Sequence, residues 1–100
     1  MVRHVILWQL KEEYNDEEKR EIKAGIKKGL EGLMGKVPGL VEVHVHTEGL
    51  ASSNADLMLD AVLENEEALK GYAVHPEHVA IANSKVRPYT MSRTCLDFEI

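Results

Sequence analysis

Cysteine is almost absent from this sequence, in which Cys95 is the only one among 100 residues. A single thiol cannot form a disulfide within the chain, and no second cysteine stands near it to complete a metal or redox motif. We therefore expect Cys95 to be a packing residue of a strand, without redox or metal-binding chemistry.

Long apolar runs and an excess of basic residues are also missing. The longest apolar runs, residues 5–8 and 80–82, are far too short to cross a bilayer, and no signal-peptide core follows Arg3 and His4. With 12 Lys and Arg against 17 Asp and Glu, the chain is acidic and has no basic stripe for nucleic acid. We expect a cytoplasmic protein that binds neither membranes nor nucleic acids.

The composition is ordinary for a globular protein. Hydrophobic residues make up 44% and charged residues 29%, without repeats or low-complexity segments. One hundred residues suffice for one core between two layers of structure. We therefore predict a single domain over residues 1–100.

The apolar pattern predicts four strands and two helical regions in the order βαββαβ, with a four-stranded antiparallel sheet. The predicted strands are residues 2–10, 40–47, 56–64 and 89–99. The first helix is predicted over residues 16–34, with Asn15 as its N-cap and Glu18 three residues later. Glycines at 25, 29 and 32 cost this helix about 1 kcal/mol each, and we interpret them as positions of close packing rather than room for a ligand.

The second helical region is interrupted within the segment GYAVHPEHV, residues 71–79. Pro76 lacks an N–H and pushes His75 out of the helical conformation, so one helix from residue 65 ends at 74–75 and a short one runs from 76 to about 85. Tyr72 then ends one helix and His78 begins the next, and the corner can bring the two side chains together.

Two interpretations of this corner remain open. The positive end of the short helix favours a neutral His78, which can accept a proton, whereas Glu77 favours the charged ring. Alternatively, His75 is a turn residue of the N-cap type, and Tyr72 and His78 bind nearby backbone and close the corner without any chemistry.

The sheet is predicted to have two apolar faces but helices on only one. Val5 and Leu7 of the first strand and Met58 and Val62 of the third point away from the helices. Such a patch would lie in water in a monomer. We therefore predict a homodimer in which this face of two sheets pairs to form a barrel.

A second pair of histidines, His44 and His46, lies on one face of the second strand at a spacing that can bind a metal. No third ligand is evident, so we predict a solvent-exposed face and no metal site.

Several segments of the sequence resemble the stress-responsive A/B barrel (Dabb) family of dimeric, ferredoxin-like proteins. They are MVRHVILWQLK, KVPGL, ADLMLDAVLE, EALKGYAVHPEHV and VRPYTMSRTCLDFE, and YxxHPxHV is quite specific for the family. The resemblance covers nearly the whole chain. It implies an α+β ferredoxin-like fold and a homodimer whose two sheets form a barrel.

The resemblance also implies site residues, because a plant polyketide cyclase of this family uses the tyrosine and histidine that match Tyr72 and His78 for an aldol condensation. The expected ligand-binding residues are His4, Ile6, Trp8, Ile26, Leu57, Leu59, Ala61, Leu69 and His75. Trp8 is bulkier than the expected aliphatic residue, and isoleucines of the first helix replace aromatic residues of the cyclase, so the substrate differs.

Two functions follow as hypotheses, and neither needs a cofactor. The first is binding of a small apolar or aromatic molecule in a crevice between helices and sheet. The alternative is a cyclase or isomerase in which His78 abstracts a proton next to a carbonyl and the Tyr72 hydroxyl stabilises the oxyanion. Oxygen-dependent oxidation of a ring compound or haem ranks last, since only a strand histidine such as His4 supports it.

Overall fold

The alternating apolar segments form a four-stranded antiparallel sheet in the computed structural model, which describes residues 1–100. The strands are β1 (Val2–Leu10), β2 (Leu40–His46), β3 (Leu57–Leu63) and β4 (Thr90–Glu99). The helices are α1 (Asp16–Glu31), α2 (Glu66–Val74) and α3 (Pro76–Ile81), followed by a π-helical turn over Ala82–Val86. The sheet order is β2-β3-β1-β4. The predicted ferredoxin-like βαββαβ fold is confirmed.

Helix α1 begins where the sequence predicts and ends earlier. The Asn15 side chain accepts a hydrogen bond from the Glu18 backbone N–H at 2.8 Å, and the Glu18 carboxylate accepts one from the Asn15 N–H at 3.0 Å. This reciprocal capping box starts the helix at Asp16. The helix stops at Glu31, not at residue 34, because Gly32 is its C-cap and residues 32–36 form turns.

One face of the sheet carries the core. In β1 the side chains of Ile6, Trp8 and Leu10 point towards the helices and are buried, as are Leu59 and Leu63 of β3. They belong to a cluster of 16 buried residues that also includes apolar residues of α1, α2 and β2. Every residue of β4 after Thr90 is exposed, so the helix layer leaves the β4 edge of this face open.

No helix covers the opposite face of the sheet. Leu7 is 39% exposed there, and the strand register places Leu96 and Phe98 of β4 on the same face, at 65% and 42% exposure. Val62 does not follow the prediction, because it is only 4% exposed. It pairs with Arg3 on one side and lies opposite Glu42 on the other, and these longer side chains flank it.

None of the helices has the length and hydrophobicity of a membrane span. The longest, α1, has 16 residues, several of them charged.

Helices α1 and α3 approach closely at one of the three glycines. A Cβ at Gly29 would lie 2.9 Å from Cγ2 of Ile81 in α3, whereas a Cβ at Gly25 would meet nothing within 4 Å. At Gly32 the nearest atom is the Lys28 carbonyl oxygen of the same chain segment, at 3.0 Å. Of the three glycines, only Gly29 is therefore explained by close packing between elements, and it packs against α3 rather than against the sheet.

This contact yields a prediction about stability. Gly25→Ala should stabilise the protein by about 1 kcal/mol, because alanine favours the helix and meets no neighbour. Gly29→Ala should lack most of that gain, because its methyl group must displace the β-branched Ile81 side chain. Urea unfolding of both variants measures the difference, and an equal gain at the two positions would contradict the proposed α1–α3 contact.

Candidate functional site

A cavity of about 410 Å³ lies between the helices and the sheet. Seven of the predicted site residues line it: His4, Ile6, Trp8, Leu59, Leu69, Tyr72 and His78. The other lining residues are Leu30, Ala73, Ala82, Val86, Arg87, Thr90 and Arg93. The apolar floor comes from β1 and β3, and the polar groups come from the corner and from the open β4 edge. Its volume is that of a small-molecule site.

The corner brings Tyr72 and His78 together. His75 is extended (φ −63°, ψ 132°), and its Nδ1 accepts a hydrogen bond from the Glu77 N–H at 3.2 Å, so it caps α3. Pro76 is the first residue of α3. As a result the rings of Tyr72 and His78 lie 4.3 Å apart between centroids, although a continuous helix would separate these positions by about 9 Å of rise.

The Tyr72 hydroxyl is buried and has no hydrogen-bond partner. The residue is only 1% exposed, and its burial raises the pKa of the phenol to about 12. Tyr72 is therefore a phenol at neutral pH, and its O–H is a hydrogen-bond donor without an acceptor in the chain. Its ring also lies edge-on to the His4 ring, with centroids 6.1 Å apart.

His78 is half-buried and has one backbone contact. Its Nδ1 lies 3.3 Å from the carbonyl oxygen of Ala73. Because a carbonyl only accepts, Nδ1 must carry the proton, and Nε2 of the neutral ring keeps its lone pair. The residue thus has the form that a proton acceptor needs.

Burial is the main cause that lowers the pKa of His78 below its usual 6.5. The charges of His4, Arg87 and Arg93 lower this pKa further, whereas the Ala73 hydrogen bond raises it. The lowered pKa favours a neutral ring, one of the two alternatives that the sequence leaves open, and its largest cause is desolvation rather than the helix end. Glu77, which was expected to oppose it, is not among the causes.

The structural interpretation of the corner holds for only one of its two side chains. His78 binds the nearby backbone, and His75 caps a helix, as that interpretation requires. The Tyr72 side chain makes no hydrogen bond, and the residue lines the cavity.

Four of the predicted ligand-binding residues lie outside the cavity wall. Leu57 and Ala61 are on the same face of β3 as Leu59, but they are buried in the core, and so is Ile26 of α1. His75 is occupied with capping α3. The alternation of residues along β3 indicates which side chains face the helices. The position of the helices above them decides which of these side chains remain accessible from the cavity.

A polar cluster at the β1–β4 junction was missed by the sequence analysis. His4 is 6% exposed, and its Nδ1 makes a short hydrogen bond with the carboxylate of Asp97, its partner in the strand register. The Cys95 thiol lies 3.5 Å from the same carboxylate. Cys95 is exposed, so its prediction as a packing residue is wrong. Only the pairing of β4 with β1 unites these residues, which are about 90 positions apart.

The chain has few groups of side chains that could hold a metal ion. The donor atoms of His4, Cys95 and Asp97 lie within 4.8 Å of one another, the one such group of three in the chain. The Asp97 carboxylate is already engaged with His4. His44 and His46 are exposed on β2, and His44 lies 3.5 Å from the Glu42 carboxylate.

The chain is similar to known proteins over its whole length. The sequence pattern of the stress responsive A/B barrel domain matches residues 2–100. A dimeric ferredoxin-like protein of unknown function from Bacteroides fragilis has a TM-score of 0.91 and 29% identity, over 99% of this chain and 95% of that one.

Two further solved structures share the fold at lower identity. A dimeric ferredoxin-like protein from Thermobifida fusca has a TM-score of 0.77 and 23% identity, over 99% of this chain and 90% of that one. The hydroxynitrile lyase of Passiflora edulis has a TM-score of 0.73 and 14% identity, over 99% and 92% of the two chains. None of the curated proteins has a significantly similar sequence.

The depressed pKa of His78 predicts a pH dependence of stability. The His78 ring binds a proton more tightly in the unfolded state than in the folded state. The stability that the folded state gains from the neutral ring is therefore complete above about pH 6.5 and is lost as the pH falls below that value. His78→Gln removes this titrating group. The free energy of unfolding of the variant should therefore fall less steeply than that of the parent protein from about pH 7 to about pH 5. Urea unfolding at these pH values measures both slopes, and parallel slopes would contradict a buried, neutral ring.

Proposed function

Because the chain belongs to the stress responsive A/B barrel domain family, we propose that it binds a small, largely apolar molecule in the cavity between its helices and its sheet. The cavity of about 410 Å³ carries this proposal. Its floor of Ile6, Trp8 and Leu59 suits an aliphatic or aromatic group, and a few polar residues from the corner and from the β4 edge also line it, as is usual for ligand sites.

The Tyr72 hydroxyl indicates what such a molecule carries. A buried hydroxyl without a partner costs about 1–3 kcal/mol, and an acceptor on a bound ligand would recover that cost. Since a phenol whose pKa is raised to about 12 acts as a donor at neutral pH, the matching group is a carbonyl or another acceptor oxygen.

A second candidate function, an enzymatic proton transfer, is favoured by the neutral His78 ring beside Tyr72. In this step Nε2 of His78 takes a proton from the carbon next to a carbonyl, the electron pair of the broken C–H bond forms a C=C bond, and the π electron pair of the carbonyl moves to its oxygen. The Tyr72 O–H donates to the resulting enolate. Return of the proton to another carbon or to the opposite face gives an isomerisation, and attack of the enolate carbon on a second carbonyl of the same molecule gives ring closure. The hydroxynitrile lyase from Passiflora edulis shows that this fold is compatible with an enzyme.

One probe tests both functions. The neutral ketone 2-tetralone has an aromatic ring and exchangeable hydrogens next to its carbonyl, and NMR in D₂O reports its binding and the loss of those hydrogens. We expect the protein to bind it and to accelerate the exchange. His78→Gln should lower the exchange rate by roughly 100-fold while binding persists, because general-base catalysis contributes factors of this order.

His75→Asn is the matched control, since asparagine preserves the N-cap of α3 and His75 lies outside the cavity. It should retain both binding and exchange. Binding without accelerated exchange would contradict the enzymatic candidate and leave the binding function. Failure of this and comparable ring compounds to bind would contradict both.

The outer face of the sheet supports a homodimer. Similar proteins from Bacteroides fragilis and Thermobifida fusca are described as dimeric. In this chain Leu7, Leu96 and Phe98 form an exposed apolar patch on the face that has no helix. Pairing of this face with a second copy would remove the patch from water and close two sheets into a barrel.

A charge within this patch should therefore separate the subunits. Leu96→Asp places a carboxylate on the outer face of β4, and we expect sedimentation equilibrium to change from a dimer to a monomer. Leu50→Asp, at a position that is 80% exposed in a loop, should remain a dimer. A monomeric parent protein, or an undisturbed dimer of Leu96→Asp, would contradict pairing through this face.

A further inference from the structure

Two arginines line the same cavity as Tyr72 and His78. Arg93 lies opposite Trp8 in the β1–β4 register, so it is on the helix-facing side of the sheet. Arg87 follows the π-helical turn, and its guanidinium donates to the side-chain oxygen of Asn83. Both residues are exposed, which places their charges at the open β4 edge of the cavity rather than on its floor.

Neither arginine has a carboxylate partner in the structure. The four ion pairs of the chain involve Arg3, His4, Lys27 and His44 as cations. The wall of the cavity therefore carries two positive charges that no carboxylate of the chain pairs with, although Arg87 also donates to Asn83. Both charges also lower the pKa of His78, so their field extends into the cavity.

We propose that Arg87 and Arg93 recognise a carboxylate on the bound molecule. A guanidinium group presents two parallel N–H donors that match the two oxygens of a carboxylate, and Thr90 lines the cavity as a further polar residue. The ligand is then an amphipathic acid, with its apolar body over Ile6 and Trp8 and its anionic group at the β4 edge. This inference rests on the proposed ligand-binding function, which it makes more specific.

Charge neutralisation adds a consequence for the chemistry of the site. A bound carboxylate would offset the two positive charges that act on His78 and so make this ring a stronger base. An acid would therefore both fill the cavity and strengthen the proton acceptor within it, whereas a neutral molecule of the same shape would only fill it.

Calorimetric titration of the full chain with 1-naphthoate and 1-naphthamide tests the assignment, because the two probes differ in charge and hardly in shape. We expect naphthoate to bind at least about tenfold more tightly than the amide. Arg87→Gln and Arg93→Gln should each weaken naphthoate by about tenfold or more and change the amide by less than about twofold. Arg20→Gln, on the exposed side of α1 and outside this cavity, should change neither.

The outcomes separate this inference from the proposed function. Equal affinity for the acid and the amide, or unchanged naphthoate binding in both cavity variants, would overturn the carboxylate assignment while the binding function stands. An equal loss of both probes in the variants would also overturn it, because the arginines would then act through the fold. If neither probe bound to the parent protein, this result would count against the binding function itself.

Discussion

The interruption of the second helical region at Pro76 is the constraint on which the site depends. Proline has no N–H for the helix and forces His75 into an extended conformation, so α3 starts in a new direction with His75 as its cap. Only this change of direction places the His78 ring beside Tyr72, six residues earlier. The close contact of Gly29 with Ile81 then holds α3 against α1. The proximity of the Tyr72 and His78 rings thus depends on local backbone conformation and one helix–helix contact.

The helix layer covers only part of the sheet, and this leaves two surfaces open. The helices bury the inner face of β1, β2 and β3 but leave β4 open, and the cavity with Arg87 and Arg93 lies next to that open edge. The opposite face has no helix and carries exposed apolar residues, and a similar protein of the same fold is described as dimeric. The proposed ligand site thus lies on one face of the sheet, and the proposed contact with a second subunit lies on the other.

Local patterns predicted the fold well, and contacts between distant segments limited the prediction of the site. Alternation identified the strands, and the Asn15 cap and Pro76 located helix starts, because these signals lie within a few residues of the features that they determine. The contact of His4 with Asp97 and the approach of Arg93 to the cavity depend on the register between β1 and β4, which no single segment encodes. The resemblance implied Ile26 and Ala61 as ligand-site residues, but both are fully buried in the core, because a shared motif does not specify how closely the helices and sheet pack around each position.

The state of the His78 ring is the most direct test of this account. The hydrogen bond to the Ala73 carbonyl requires a proton on Nδ1, and the depressed pKa requires a neutral ring, which together leave Nε2 as the proton acceptor. Long-range ¹H–¹⁵N NMR correlation at about pH 7 reads the protonation of both ring nitrogens. The account predicts a neutral ring protonated at Nδ1. An imidazolium, or a neutral ring protonated at Nε2, would contradict it.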